Sequence, residues 1–321
     1  MLEIKNITKK YGNKTVLDDV TFTVQDGTVT GFLGPNGAGK STTMRILLGL
    51  ESANFGEAFI DGRKHNQSGS PMQSVGALLD ARAVHPKRSA VNYLRALAYT
   101  HRMPQKRVDE VLEIVGLIDV AKKKVKSFSL GMSQRLGIAA ALLGNPRNVI
   151  LDEPINGLDP EGVIWVRNLA RTLAAEGRAV LISSHLMSEM AQTADNLVVI
   201  GKGKLLAQNS MRGFLESSGV RRTLVRTDKR ELLAQKLAAV GVQSTIFEHD
   251  GLLVDQLEGP DLAVFALESG VILYEITPQL ASLEQVYMQM TNESLEYVSK
   301  DFDSSAAATE SNPTPPLAVN N

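Results

Sequence analysis

The stretch Gly34-Pro35-Asn36-Gly37-Ala38-Gly39-Lys40-Ser41-Thr42 constrains this chain more than any other. It fits G-x-x-x-x-G-K-[ST], a pattern whose glycines let the backbone wrap until successive N–H groups point inward at phosphate oxygens. Lys40 places a positive charge near the β- and γ-phosphates of a nucleotide, and the Ser41 hydroxyl can ligate Mg²⁺. The flanks fit the same picture. Thr28 to Leu33 reads as a buried strand entering the loop. Ser41 to Leu50, with Met44, Ile46, Leu47 and Leu48, reads as the helix leaving it. Candidate phosphate contacts are therefore Gly34, Asn36, Gly37, Ala38, Gly39, Lys40, Ser41 and Thr42, in an α/β setting.

The chain has 321 residues, enough for one large domain and a smaller one, each with a core. A net charge of −1 argues against a dedicated nucleic-acid binder, so no nucleic-acid partner is expected. The absence of cysteine excludes disulfides and thiolate chemistry. No apolar run approaches the ~20 residues of a spanning helix, and Met1-Leu2-Glu3-Ile4-Lys5 lacks the layout of a secretory leader. A role at a membrane would have to run through a partner.

Periodicity divides the chain. Leu2, Ile4, Val20, Phe22 and Val24 alternate with polar residues as in half-buried antiparallel strands. Gly56 to Ile60 and Val75 to Leu79 read as further strands. From about Pro86 to Gly144 helical spacing dominates (Val91, Leu94, Leu97, Ala98; Val108, Val111, Leu112, Val115), which predicts a helical subdomain. Parallel-sheet texture returns at Val149-Ile150-Leu151, Ala179 to Ile182 and Leu197 to Ile200, with a helix through Val163, Val166, Ala170 and Leu173 between the first two. Beyond about Gly219 the pattern predicts a small βαββαβα unit, ferredoxin-like in order, over 220–298, including a strand at Val271 to Ile276. Ser, Ala, Asn, Thr and Pro dominate from Asp301, so 301–321 reads as a disordered tail. The run Lys122-Lys123-Lys124-Val125-Lys126 reads as a solvated loop or a contact for anionic lipid headgroups.

A second constellation narrows the chemistry. The apolar strand Val149-Ile150-Leu151 ends in Asp152-Glu153-Pro154. Downstream of a phosphate loop, the first carboxylate suits a hydrated Mg²⁺ and the second suits a base for the attacking water. Three further elements surround it: Phe128-Ser129-Leu130-Gly131-Met132-Ser133-Gln134-Arg135 before the strand, Gly157-Leu158-Asp159-Pro160 after it, and Ser183-Ser184-His185 closing the next strand. Together they resemble the ATP-binding cassette (ABC) ATPases, the motor subunits of ABC transporters, over residues 1–215.

The resemblance implies a P-loop cassette with a mixed sheet, an antiparallel β subdomain and a helical subdomain at about 86–144, followed by the small α+β C-terminal domain. It implies ATP and Mg²⁺ as cofactors, with Ser41, Asp152 and Asp80 around the metal. Glu153, His185 and Lys40 would be catalytic, and Tyr11 would stack on adenine. Ser129 and Gly131 would be signature residues offered to the γ-phosphate of a paired cassette, and Asp159 would sit in the loop between the sites. Two departures stand out. The signature usually reads Leu-Ser-Gly-Gly-Gln, and the variant here is similar to those of bacterial antibiotic-resistance and peptide-antibiotic immunity exporters. Asp80 stands where the family places a glutamine. The implied partners are a transmembrane permease and a second cassette, as a homodimer or a heterodimer, at the cytoplasmic face of the cell membrane. The segment Ala81 to Asn92 is the implied permease-docking surface. Importer motors, soluble non-transport ABC ATPases and metabolic P-loop kinases are the competing readings; a kinase would leave the signature and His185 unexplained.

Overall fold

The computed structural model describes residues 1–217, 221–280 and 282–291. The expected tail at 301–321 and the end of the C-terminal unit at 292–298 lie outside the described residues. In chain order the first elements are β1 (Leu2–Tyr11), β2 (Lys14–Val24), β3 (Val29–Leu33), α1 (Lys40–Leu47) and β4 (Phe55–Ile60). After them come α2 (Pro71–Ser74), β5 (Val75–Leu78), α3 (Ala90–Thr100), α4 (Lys106–Ile114) and α5 (Leu130–Leu142). The chain continues through β6 (Asn148–Leu151), α6 (Pro160–Ala175), β7 (Ala179–Ser183), α7 (Met187–Thr193), β8 (Asn196–Gly201), β9 (Lys204–Ser210) and α8 (Met211–Ser217). It closes with β10 (Arg221–Arg226), α9 (Arg230–Ala239), β11 (Ser244–Phe247), β12 (Gly251–Asp255), α10 (Gly259–Glu268), β13 (Glu275–Leu280) and α11 (Leu283–Thr291).

Period-2 alternation builds the first layer. β1 lies between β2 and β4 in an antiparallel sheet, with Leu2 opposite Val24 and Ile4 opposite Phe22. Its apolar face meets a six-stranded sheet of order β5-β6-β7-β3-β8-β9, in which only β9 runs antiparallel to its neighbour. Phe22 and Phe32 carry the contact between the sheets, their rings 5.2 Å apart and tilted by 45°. Strands β3, β6 and β7 are buried along their whole length, as continuous apolar runs covered on both faces require. Helices α3, α4, α5, α6 and α7 share the core on the opposite face. Gly76 in β5 makes that closeness possible, because a Cβ there would lie 1.9 Å from the Ala141 carbonyl oxygen of α5. The helix that begins at the signature is thereby pinned against the central sheet.

The C-terminal residues form a separate antiparallel sheet of order β11-β12-β10-β13. Val225, Leu252 and Val254 of the sheet join Leu233 and Leu237 of α9 and Leu262 and Ala266 of α10 in a core of their own. The strand expected at Val271 to Ile276 forms later, at Glu275–Leu280. Val271 instead ends α10: its N–H reaches the Ala266 carbonyl at 2.9 Å after Gly270 turns left-handed at φ 70°, and its side chain is buried. A helix-terminating turn followed by a hydrophobic contact took the residues that β propensity assigned to a strand. The last helix then leaves this unit. Leu283, Val286 and Tyr287 of α11 join Phe214 of α8 in the large core of the cassette, and burial pushes the Tyr287 phenol up to about 12.

Candidate active site

The phosphate loop sits where β3 ends and α1 begins. Gly39 closes it at φ 109°, a left-handed backbone that other residues rarely adopt, and Lys40 opens the helix. That geometry sends the Lys40 side chain back under the loop, only 8% exposed. Its ammonium donates to the Gly34 carbonyl at 2.5 Å and to the Pro35 carbonyl at 3.2 Å. Burial holds this ammonium below the ordinary lysine range, while the carboxylates of Glu153 and Asp152 pull it upward. The neighbouring turn is tied by Thr43, whose hydroxyl donates to the Gly39 carbonyl at 2.9 Å.

The carboxylates come from β6, held between β5 and β7. Asp152 Oδ2 accepts from the Ser41 hydroxyl at 2.7 Å, and Asp152 Oδ1 accepts from the Ser183 hydroxyl at the end of β7. The same Ser183 oxygen accepts the Glu153 N–H at 2.9 Å. Glu153 has φ 49°, a left-handed backbone unusual for a glutamate. Its Oε2 lies 2.8 Å from His185 Nδ1. A carboxylate hydrogen-bonded to an imidazole beside a phosphate loop can accept a proton from water and keep that water oriented.

Tyr11, at the end of β1, is 47% exposed over the same cavity. Lys9 Nζ lies 4.9 Å from the ring centroid, and the phenol donates to Glu51. Glu51 also pairs with Lys9 at 3.3 Å and Arg45 at 3.7 Å. The Glu51 hydrogen bond raises the Tyr11 pKa, and the same bond lowers that of Glu51.

A cavity of about 460 Å³ joins these parts, lined by Tyr11, Asn36, Lys40, Ser41, Asp152 and Glu153 among others. Gly37, Gly39 and Thr42 also line it; Gly34 touches it through Lys40, and Ala38 is buried behind the loop. Asp80, Ser129, Gly131 and Asp159 do not line it, and His185 meets it only through Glu153. Leu79 lines the wall, whereas the Asp80 carboxylate accepts the Arg82 N–H at 2.8 Å and caps a turn. Ser129 caps α5, its hydroxyl accepting the Met132 N–H at 3.1 Å. Gly131 faces Leu158 and the Gly157 carbonyl. Asp159 caps α6 by accepting the Gly162 N–H at 2.9 Å. Gln134 links these regions, because its side-chain amide donates to the carbonyls of Glu153 and Asn156 at 3.3 and 3.4 Å.

Ser183, Gln134 and Glu51 join the site without an expected role in the sequence. Ser183 and Gln134 stand inside the quoted motifs. Glu51 follows α1 outside any motif, and no sequence signal marks it.

The donor set suits Mg²⁺. A hydroxyl and a carboxylate already 2.7 Å apart, next to a phosphate loop, are hard oxygen ligands of the kind that bind this ion with water and phosphate. Among the described residues no cluster of three or more His, Cys, Asp or Glu could form an all-protein cage.

Fold and site together define a P-loop nucleotide hydrolase with paired carboxylates at the strand end. The ABC transporter family profile matches residues 17–156, and a domain of unknown function (DUF8746) matches 221–284. The chain is 34% identical over 310 residues to the uncharacterized ABC transporter ATP-binding protein YhcH of Bacillus subtilis, covering 93% of this chain and 98% of that one. It is 41% identical over 216 residues to the bacitracin transport ATP-binding protein BcrA of Bacillus licheniformis, covering 65% and 69% of the two chains. The dimeric ATP-binding cassette MJ0796, solved in a post-hydrolysis state with ADP and Pi, superposes with a TM-score of 0.60 at 25% identity, covering 66% of this chain and all of that one. The chain belongs to the ATP-binding subunits of ABC transporters and is an ATPase of that type. No described helix is long and apolar enough to cross a membrane.

Proposed function

We propose that this chain is the motor of a bacterial exporter for a drug, an antimicrobial peptide or a lipid-like molecule. It would act from the cytoplasmic face of the membrane on a separate permease. Relatives that bear the names of a bacitracin and a lantibiotic transport ATP-binding protein support export. In this reading adenine stacks on Tyr11, the loop from Gly34 to Thr42 wraps the phosphates, and Lys40 exchanges its carbonyl partners for phosphate oxygens. Ser41 and Asp152 would hold Mg²⁺, which neutralises charge on the β- and γ-phosphates when bound. Glu153 takes the proton of the attacking water, and His185 holds that water and the γ-phosphate.

One observation carries the assembly: Ser129 and Gly131 belong to a turn packed on Gly157 and Leu158, outside the cavity that holds Lys40 and Glu153. A γ-phosphate bound at Lys40 would meet a signature turn only from a second cassette. Glu153→Gln should bind ATP, lose nearly all turnover and accumulate as a dimer by light scattering. A monomer at saturating ATP would overturn the scheme. Asp80 would offer the metal the carboxylate that in this structure accepts the Arg82 N–H, so Asp80→Ala should raise the Mg²⁺ concentration for half-maximal hydrolysis. An unchanged Mg²⁺ titration removes Asp80 from the metal shell.

A further inference from the structure

Between Ala81 and Arg135 the chain carries twelve Lys and Arg against four Asp and Glu, although the whole chain is balanced at −1. Part of this excess is concentrated by the backbone. The segment 82–88, which precedes α3, is laced to 122–126 by Val125 N–H to Arg88 O at 2.8 Å and Lys126 N–H to Pro86 O at 2.9 Å, with a β-bridge between Ser89 and Lys124. Arg82, Lys87 and Arg88 on one segment thus lie beside Lys122, Lys123, Lys124 and Lys126 on the other, all exposed. Among the described residues no ion pair joins any of these side chains to a carboxylate. The nearest acids in sequence are Asp80, whose carboxylate caps its own turn, and Asp119.

We infer that the Lys122 to Lys126 side of this patch binds the anionic headgroups of a lipid bilayer directly, while the 82–88 side belongs to the segment expected to dock the permease. A protein partner would be expected to anchor on buried aromatic or aliphatic groups, and lysine is depleted in such interfaces. Here the apolar residues of the two segments turn inward: Val84 is buried, Val125 is half-buried, and no large hydrophobic side chain is exposed in either segment. Long mobile cations on a surface without anchors suit a fluid layer of phosphates, where each contributes about fivefold to partitioning. The inference rests on the reading that the chain works at a membrane. It is separable from that reading, since lipid binding belongs to this chain alone and coupling requires the permease.

The test uses the full purified chain and sedimentation with vesicles of phosphatidylcholine, with and without phosphatidylglycerol. Binding should require the anionic lipid and weaken as salt rises. The variant K122Q/K123Q/K124Q/K126Q should bind roughly a hundredfold more weakly or worse while keeping its basal ATPase rate, which shows that it is folded. Equal binding to neutral vesicles, or unchanged binding by the variant, overturns the inference. So does release by inorganic phosphate beyond that of chloride at the same ionic strength, which would indicate a site for a soluble anion. Loss of permease co-purification with vesicle binding intact would assign the patch to an acidic protein surface instead.

Discussion

The cassette and the C-terminal unit solve different problems with the same alphabet. In the cassette, residue identity follows chemistry: a loop closed by a left-handed glycine, a lysine folded under it, and two carboxylates where a buried strand emerges. In the C-terminal unit, identity follows packing. Its core is Val, Leu and Ala, and the open face of its sheet carries Arg226 among Glu248, Asp250 and Glu275. Its chain does not end there, because α11 returns to the cassette and places Val286 and Tyr287 in the cassette's own core. No described residue of the C-terminal unit lines the cavity that holds Lys40 and Glu153, while α11 adds to the cassette's core.

Substitutions can break that division. Lys40→Ala should have the largest effect on nucleotide, weakening ATP binding by more than about a hundredfold, the equivalent of roughly 2.7 kcal/mol. The melting temperature without nucleotide should stay close to the parent's, and a large fall would show that the site also holds the fold. Tyr287→Ala should reverse the pattern, lowering stability by about 3–5 kcal/mol in thermal or denaturant unfolding. ATP affinity below the transition should be unaltered; a stable protein with impaired hydrolysis would tie α11 to catalysis. Glu51→Ala should act most weakly, through the orientation of Tyr11. ATP affinity should fall about fivefold, or roughly 1 kcal/mol, as measured by nucleotide titration, and a Tyr11→Ala background should abolish the difference. Additive losses would separate Glu51 from the tyrosine.

The same division explains what could be read from the chain. Strand β3, helix α1 and strands β6, β7 and β8 show in the sequence because apolar runs and fixed motifs mark them. The displacement of β13 was hidden, since Val271 to Ile276 carries strand-forming residues whose fate was decided by the turn at Gly270. Long-range placement was hidden too. Nothing local tells that Ser183 will bind both Asp152 and the Glu153 N–H, that Glu51 will meet Tyr11, or that Asp80 will face its own turn. Those contacts depend on neighbours brought together by the sheet order, which periodicity does not encode.

Glu153 shows how activity and rest compete within one residue. A left-handed backbone there costs about 1–2 kcal/mol for a side-chain-bearing residue, and glycine could adopt it without that cost. The resting protein would relax with the simplest residue at this point, whereas the proposed role of Glu153 as the base for water requires a carboxylate there. Selection for robustness alone, in a host that never needed the transporter, would therefore have a direct route to silence it: a sturdier cassette that grips ATP and leaves it uncut.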